Sequence, residues 1–413
     1  MKITVPYGES VQSAEIPDER LAGVLEPADV EQRSESAVLD EALASPTNGE
    51  TLDRFLEGAS SILIVVNDAT RPTPTARMLA HLAPVLRDIE VTIAVATGTH
   101  RAPTEEELRS IIGDPPPVEI ARVHIHDARD AAAHVRLAET SSGTPVVVDR
   151  VVLDAERVLV LSSVEPHYFA GYTGGRKSIL PGLAAFEMVE ANHAHAMSVD
   201  ARPLRLKGNP VHEDMIEAAD MILDRRYYGI MTVLDREGQV HAAAAGDLHG
   251  SLHAVVPAAQ AVYAPSVKRR ERIVVAAVAP PLDINLYQAQ KALEHGLLAL
   301  EDGGTLVLVS PCREGLGDDT FARVLRAART PEEAAESLPA TYRFGDHKVA
   351  RIAKAVSRFD VVAVTDIAPD VIASLFMLPA ASLQSALDEA LLKHPDGRVL
   401  VVPRAAETVP RLV

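Results

Sequence analysis

The segment Glu165-Pro166-His167-Tyr168-Phe169-Ala170-Gly171-Tyr172-Thr173-Gly174-Gly175-Arg176-Lys177-Ser178 gathers a base, an amine, a guanidinium, aromatic faces and glycines into one short run. Each of these types suits ligand chemistry. Glycines let the backbone approach a ligand closely, and successive N–H groups can cradle a phosphate. Arg176 adds charge, and the aromatic rings offer faces to a planar group. A nucleotide-triphosphate loop is excluded. That motif needs Gly directly before Lys and Gly at its start, where this chain has Arg176 and Ala170. A glycine-rich turn with an incidental lysine is the competing reading.

Histidines supply the second signal. Asn192-His193-Ala194-His195 follows a helical stretch that begins near Ala184, and a neutral imidazole is a good nickel ligand. Residues two apart on a helix point in different directions, so one ion needs only one of this pair. His124 and His126 alternate onto one face of a predicted strand. No carboxylate accompanies them at a persuasive spacing, and a structural role is expected there. Two further segments lie at expected strand ends, Asp68-Ala69-Thr70-Arg71-Pro72 and Thr97-Gly98-Thr99-His100-Arg101. Arg71 has the planar fork that suits a carboxylate, and His100 is of the side-chain type most often used as a physiological acid or base. Further along, Gln288 and Lys291 are three apart and share one face of a predicted helix.

These residues need rigid elements to hold them. Short β-branched runs at 61–68, 91–96 and 157–161 alternate with helical patterns at 74–88 and after Thr104. This predicts buried parallel strands in βαβ units. A second series of strands is expected at 273–279, 305–310, 361–365 and 399–402, after the charged run 268–272. The fold class is therefore α/β, with mainly parallel sheets flanked by helices. Two domains are expected, 1–265 and 266–413, with the final segment able to complete the second sheet or return to the first domain. Ligands of open α/β sheets bind beyond the carboxyl ends of strands, which places the expected active site in an interdomain cleft.

Composition narrows the function. The chain carries 40 Lys and Arg against 58 Asp and Glu, a net charge of −18 that argues against nucleic acid or an anionic membrane as the main partner. One cysteine, Cys312, excludes an intrachain disulfide framework and suits a reducing cytoplasm. The amino terminus reads as a short strand, and no apolar run reaches spanning length. A nucleotide-dependent dehydrogenase is disfavoured, because no Gly-x-Gly-x-x-Gly fingerprint follows an early strand.

With these motifs in this order, the chain resembles the nickel-dependent lactate racemase family, whose members carry a nickel-pincer nucleotide and act on various 2-hydroxy acids. The resemblance runs over nearly the whole chain. It implies that Lys177 holds the cofactor, a pyridinium-3-thioamide-5-thiocarboxylic acid mononucleotide, through a thioamide, and that His193 ligates nickel. It also implies that His100 and His167 are the paired acid and base, and that Arg71, Gln288 and Lys291 hold the substrate carboxylate. Asp68, Thr70, Thr173, Gly174, Gly175 and Arg176 become cofactor contacts. The implied partners are a small anionic 2-hydroxy acid and, transiently, the proteins that build the cofactor. The implied reaction is hydride transfer from Cα and back to the opposite face, because direct deprotonation at Cα would create a difficult dianion. Lactate, malate, a longer aliphatic acid and a sugar acid all remain open as substrates, as does noncatalytic binding of a nickel cofactor.

Overall fold

The computed structural model describes residues 1–223, 227–317, 319–339 and 341–413, and it divides into two compact units. Residues 29–262 form the larger one. Its sheet runs, in spatial order, Val240–Gly246, Tyr227–Leu234, Val158–Ser163, Ser61–Asn67, Glu90–Ala96, Ile120–Ile125. Every neighbour is parallel except the first pair. The apolar runs behave as a sheet covered on both faces requires: Ile62 to Val66 and Val158 to Leu161 are all buried. On one face Ile64, Val66, Ile93 and Leu159 pack against Met78, Leu79 and Leu82 of the helix Thr75–Leu86. Full burial of each such side chain stabilises by roughly 1.5–3 kcal/mol. The acids after Thr104 open a helix as expected, and Thr104 and Glu107 close a capping box on Glu105–Ile112.

The smaller unit joins residues 1–28 to 263–413. Its sheet is parallel throughout, in the order Leu378–Ala380, Asp360–Val364, Leu300–Val309, Glu271–Ala277, Val399–Val402, Leu21–Val24. This corrects the expected division at the amino terminus, where 1–28 was assigned to the first domain. Leu21–Val24 supplies the edge strand beside Val399–Val402. The hairpin Lys2–Tyr7 and Ser10–Glu15 buries Ile3 and Val5 against Ile273 and Val275. Period-two patterning reveals a strand but not its partner. The final segment stays with this unit, since Arg411–Leu412 pairs with Ser266–Val267. No helix among the described residues is long and apolar enough to cross a membrane.

Candidate active site

Three loops of the larger unit leave the carboxyl ends of adjacent strands and are tied to one another. After Ser61–Asn67, the Thr73 hydroxyl bonds Asn67 Oδ1 at 2.8 Å and the Ser163 hydroxyl at 2.8 Å. Ser163 ends the neighbouring strand, so the loop bearing Asp68, Thr70 and Arg71 is anchored to the start of the loop bearing His167 and Lys177. After Glu90–Ala96, Gly98 N–H donates to Gly182 O at 3.0 Å, which docks the His100 turn on the segment following Lys177.

His100 Nδ1 lies 2.7 Å from Asp68 Oδ2, and Asp68 Oδ1 accepts the Thr70 hydroxyl at 2.7 Å and the Thr70 N–H at 3.1 Å. Burial works to raise the Asp68 pKa, but the charge and hydrogen bond of His100, with Thr70 and Arg71, hold it below the usual carboxylate range. A carboxylate accepts only, so Nδ1 carries the His100 proton and Nε2 keeps its lone pair. Asp68 and Thr70, read from the resemblance as cofactor contacts, are here engaged in orienting His100.

His167 shows the opposite arrangement. Its strand Pro166–His167 forms a small hairpin with Gly171–Tyr172, and the Ala170 N–H donates to His167 Nδ1 at 3.2 Å. The neutral ring therefore carries its proton on Nε2. Gly171 makes the turn with a positive φ of 80°, and a Cβ there would lie 2.1 Å from Arg205 O.

Residues 158–176 are buried without a break, and Lys177 is the first side chain to emerge. It lies in a short 3-10 turn, Gly175–Ser178, with Nζ 5.7 Å from the Phe169 ring centre. Phe169 also meets His167 edge-on at 4.6 Å and His193 at 5.1 Å. One ring thus touches the three groups that the sequence singled out separately. Its individual importance was not legible, because an aromatic beside a glycine turn looks like any core residue. His193 comes from the helix Phe186–Ala194, while His195 turns toward Asp214, 3.8 Å away.

The glycine loop is packed closely on the protein itself. Arg176 is fully buried and donates to the carbonyls of Thr173, Gly174 and Ala170 at 3.1, 3.0 and 2.8 Å. Burial pushes its pKa down to about 9, which leaves it charged at neutral pH. A Cβ on Gly174 would meet Val164 at 2.6 Å, and one on Gly175 would meet Leu248 and Leu252. The Thr173 hydroxyl donates to Glu165 Oε2 at 2.7 Å and accepts the Glu165 N–H at 2.7 Å. Close packing of the protein on itself occupies these four residues, and their visible effect is to fix where Lys177 emerges.

In the smaller unit, Lys291 Nζ donates to Gln288 Oε1 at 2.7 Å on the helix Leu286–Gly296, and both residues are buried. Lys348 was missed by the sequence reading. It is buried, lies 3.6 Å from the Tyr287 ring centre, and donates to Tyr287 O at 3.0 Å. Some sixty residues separate it from that helix, so spacing could not find it.

The expectation that no carboxylate accompanies His124 and His126 is corrected. Asp149 Oδ2 lies 2.6 Å from His124 Nε2 and 3.0 Å from His126 Nδ1. Burial works to raise the Asp149 pKa, but the bonds from both rings hold it well below the usual carboxylate range.

Loops converging at the carboxyl edge of a parallel sheet, with an imidazole set by a buried carboxylate, define an enzyme of the α/β class. Residues 7–203 match the lactate racemase N-terminal domain and residues 267–409 the lactate racemase C-terminal domain. The lactate racemase of Thermoanaerobacterium thermosaccharolyticum is 29% identical over 99% of both chains, and that of Lactiplantibacillus plantarum is 30% identical over 97% of both. The solved apoprotein of the former superposes with a TM-score of 0.89 at 28% identity, covering 100% of each chain. A Thermotoga maritima protein shares the fold, with a TM-score of 0.70 at 16% identity over 92% of this chain and 98% of its own. This chain belongs to the lactate racemase family, and it is an isomerase.

Proposed function

We propose that the enzyme inverts the C2 centre of lactate, or of a closely related 2-hydroxy acid, using a nickel-pincer nucleotide tethered to Lys177. The observation that carries this reading is two imidazoles with opposite proton placement, carried on loops that are tied to the segment bearing Lys177. His100 has a lone pair on Nε2, set by Asp68, and His167 has its proton on Nε2, set by the Ala170 N–H. Inversion needs both, because the hydroxyl oxygen occupies opposite positions in the two enantiomers.

The residues fit the cofactor. Lys177 is the emergent amine of a buried loop, His193 offers an imidazole 5.1 Å from the Phe169 ring centre, and the buried Ser178 hydroxyl has no hydrogen-bond partner. Lys177 would hold the group covalently and His193 would ligate nickel. When bound, the group supplies a reversible acceptor for the Cα hydride. His100 takes the hydroxyl proton through Nε2, with Asp68 stabilising the charge that results, while His167 offers its Nε2 proton to the oxygen at the other position. Arg71 would hold the carboxylate, the role that the resemblance also gives to Gln288 and Lys291 of the smaller unit. A reducing cytoplasm suits the single buried thiol, Cys312.

The test follows the Cα hydrogen. Holoenzyme given Cα-deuterated lactate in ordinary water is expected to return inverted product that keeps the label, because hydride held on carbon does not exchange with solvent. Complete loss of label, with no 2-keto acid on acid quench, would overturn the hydride reading. A chiral assay over lactate, malate, longer aliphatic and sugar acids identifies the preferred substrate, and peptide mapping of active protein should find an adduct on Lys177.

A further inference from the structure

A second cluster of titratable groups lies in the larger unit, built from residues given no cofactor or substrate role above. It is built from His126, which follows the strand Ile120–Ile125, and from His134 and Asp149, a directly opposed pair on the antiparallel strands His134–Glu139 and Pro145–Asp149. One ligating atom from each of the three lies within 4.8 Å of the others.

Proton placement shows what the cluster lacks. His126 Nε2 faces the Ala184 carbonyl at 3.1 Å, and His126 Nδ1 faces Asp149 Oδ2 at 3.0 Å. Both partners are acceptors, and a neutral imidazole has only one proton to give. If that proton sits on Nε2, a nitrogen lone pair and a carboxylate oxygen confront each other at 3.0 Å with nothing between. The site is short by one positive charge.

His134 decides what supplies it. Its Nδ1 lies 2.7 Å from the Asp130 carbonyl, which fixes the proton there and leaves the lone pair on Nε2. That Nε2 is buried and has no hydrogen-bond partner. A second proton on His126 would satisfy His126 and Asp149 but would leave His134 Nε2 with nothing. A metal ion uses all three. Both rings donate their far N–H to a backbone carbonyl, the arrangement that orients histidine ligands in metal sites. His124 donates to the same carboxylate at 2.6 Å and steadies it. A cavity of about 340 Å³ lined by His124, Asp149, Arg122 and Glu90 reaches the Asp149 side of the cluster.

We propose that His126 Nδ1, His134 Nε2 and Asp149 bind a divalent transition metal ion of the zinc type, with water completing the shell. Two nitrogens and one oxygen suit zinc, and three protein ligands leave one tetrahedral position open. The ion acts as a staple. Asp149 N–H also donates to Leu183 O, Ala185 N–H to Val147 O, and Phe186 N–H to Ala128 O. The ligand elements are thereby fastened to the chain between Lys177 and the helix that carries His193.

The test uses full-length apoprotein produced without the cofactor and stripped with chelator, in a His193→Ala background so that the proposed nickel ligand cannot contribute. Zinc titration followed by elemental analysis is expected to give one ion per chain and a raised melting temperature. Cobalt substitution should give the visible absorption of a four-coordinate site. His134→Ala should weaken zinc binding roughly tenfold or more and abolish the cobalt band. The only hydrogen bond this removes among those described here is to the Asp130 carbonyl, so the fold is expected to survive. Asp149→Asn should act likewise, with circular dichroism reporting whether it folds. No stoichiometric zinc, or binding unchanged in His134→Ala, would overturn the proposal. A melting temperature that does not respond to zinc would also overturn it.

Discussion

Replacing Asp68 by Asn keeps the shape of the side chain but lets an N–H face His100 Nδ1, which favours the tautomer with its proton on Nε2. The lone pair proposed to take the hydroxyl proton is then lost. Asp68→Asn holoenzyme is expected to lose about 10²- to 10⁴-fold in kcat with KM little changed, and its kcat–pH profile should change shape. An unchanged profile with a lowered melting temperature would make Asp68 merely structural. Arg176 carries the opposite expectation. Its guanidinium binds three buried carbonyls, so Arg176→Met should destabilise the cofactor-free protein by on the order of 3 kcal/mol. If Arg176 served only to contact the cofactor, apoprotein stability measured in denaturant would not move.

At the scale of elements, the hairpin Pro166–His167 and Gly171–Tyr172 sets one of the two imidazoles, and Gly171 is the residue it cannot exchange. A methyl group there meets a backbone carbonyl at 2.1 Å, and the φ of 80° is one that L side chains rarely adopt. Gly171→Ala is expected to cost about 2–4 kcal/mol in thermal or denaturant unfolding, since strain and a backbone clash act together. It should also lower kcat by displacing His167 and Phe169. A variant of wild-type stability would show that the turn can relax away from Arg205 and would remove the argument for a rigid hairpin.

At the scale of the molecule, both units bury uncharged histidines. His295 donates from Nδ1 to Ala405 O at 2.8 Å, and burial, aided by Lys291, pushes its pKa from 6.5 down to about 4. Burial and Arg176 push His212 down to about 2. The sign follows from linkage. Between pH 6.5 and 4 the unfolded chain binds a proton at His295 that the folded chain does not, so stability is full above pH 6.5 and falls as pH drops through this window. The loss for His295 is on the order of 3 kcal/mol by pH 4. His295→Gln keeps a donor for the Ala405 carbonyl and should flatten this part of the stability–pH curve. An equally steep curve in the variant would assign the acid sensitivity elsewhere.

The sequence by itself determined the elements whose signals are local. Continuous β-branched runs located the parallel strands, the capping acids opened the helix after Thr104, and i,i+3 spacing paired Gln288 with Lys291. It also singled out Lys177, the side chain that emerges from a buried loop, because glycines beside a lysine are a local pattern. Tertiary structure decided everything that depends on a distant partner. Strand pairing placed residues 1–28 with the carboxyl-terminal unit. Close packing set the surroundings of Arg176 and the glycines, which residue type does not reveal. Chain crossing brought Asp68 to His100, Phe169 to His193, and Asp149 to His124 and His126, over separations at which spacing carries no information. Residue type states what a side chain can donate or accept; only the fold states which partner has already claimed it.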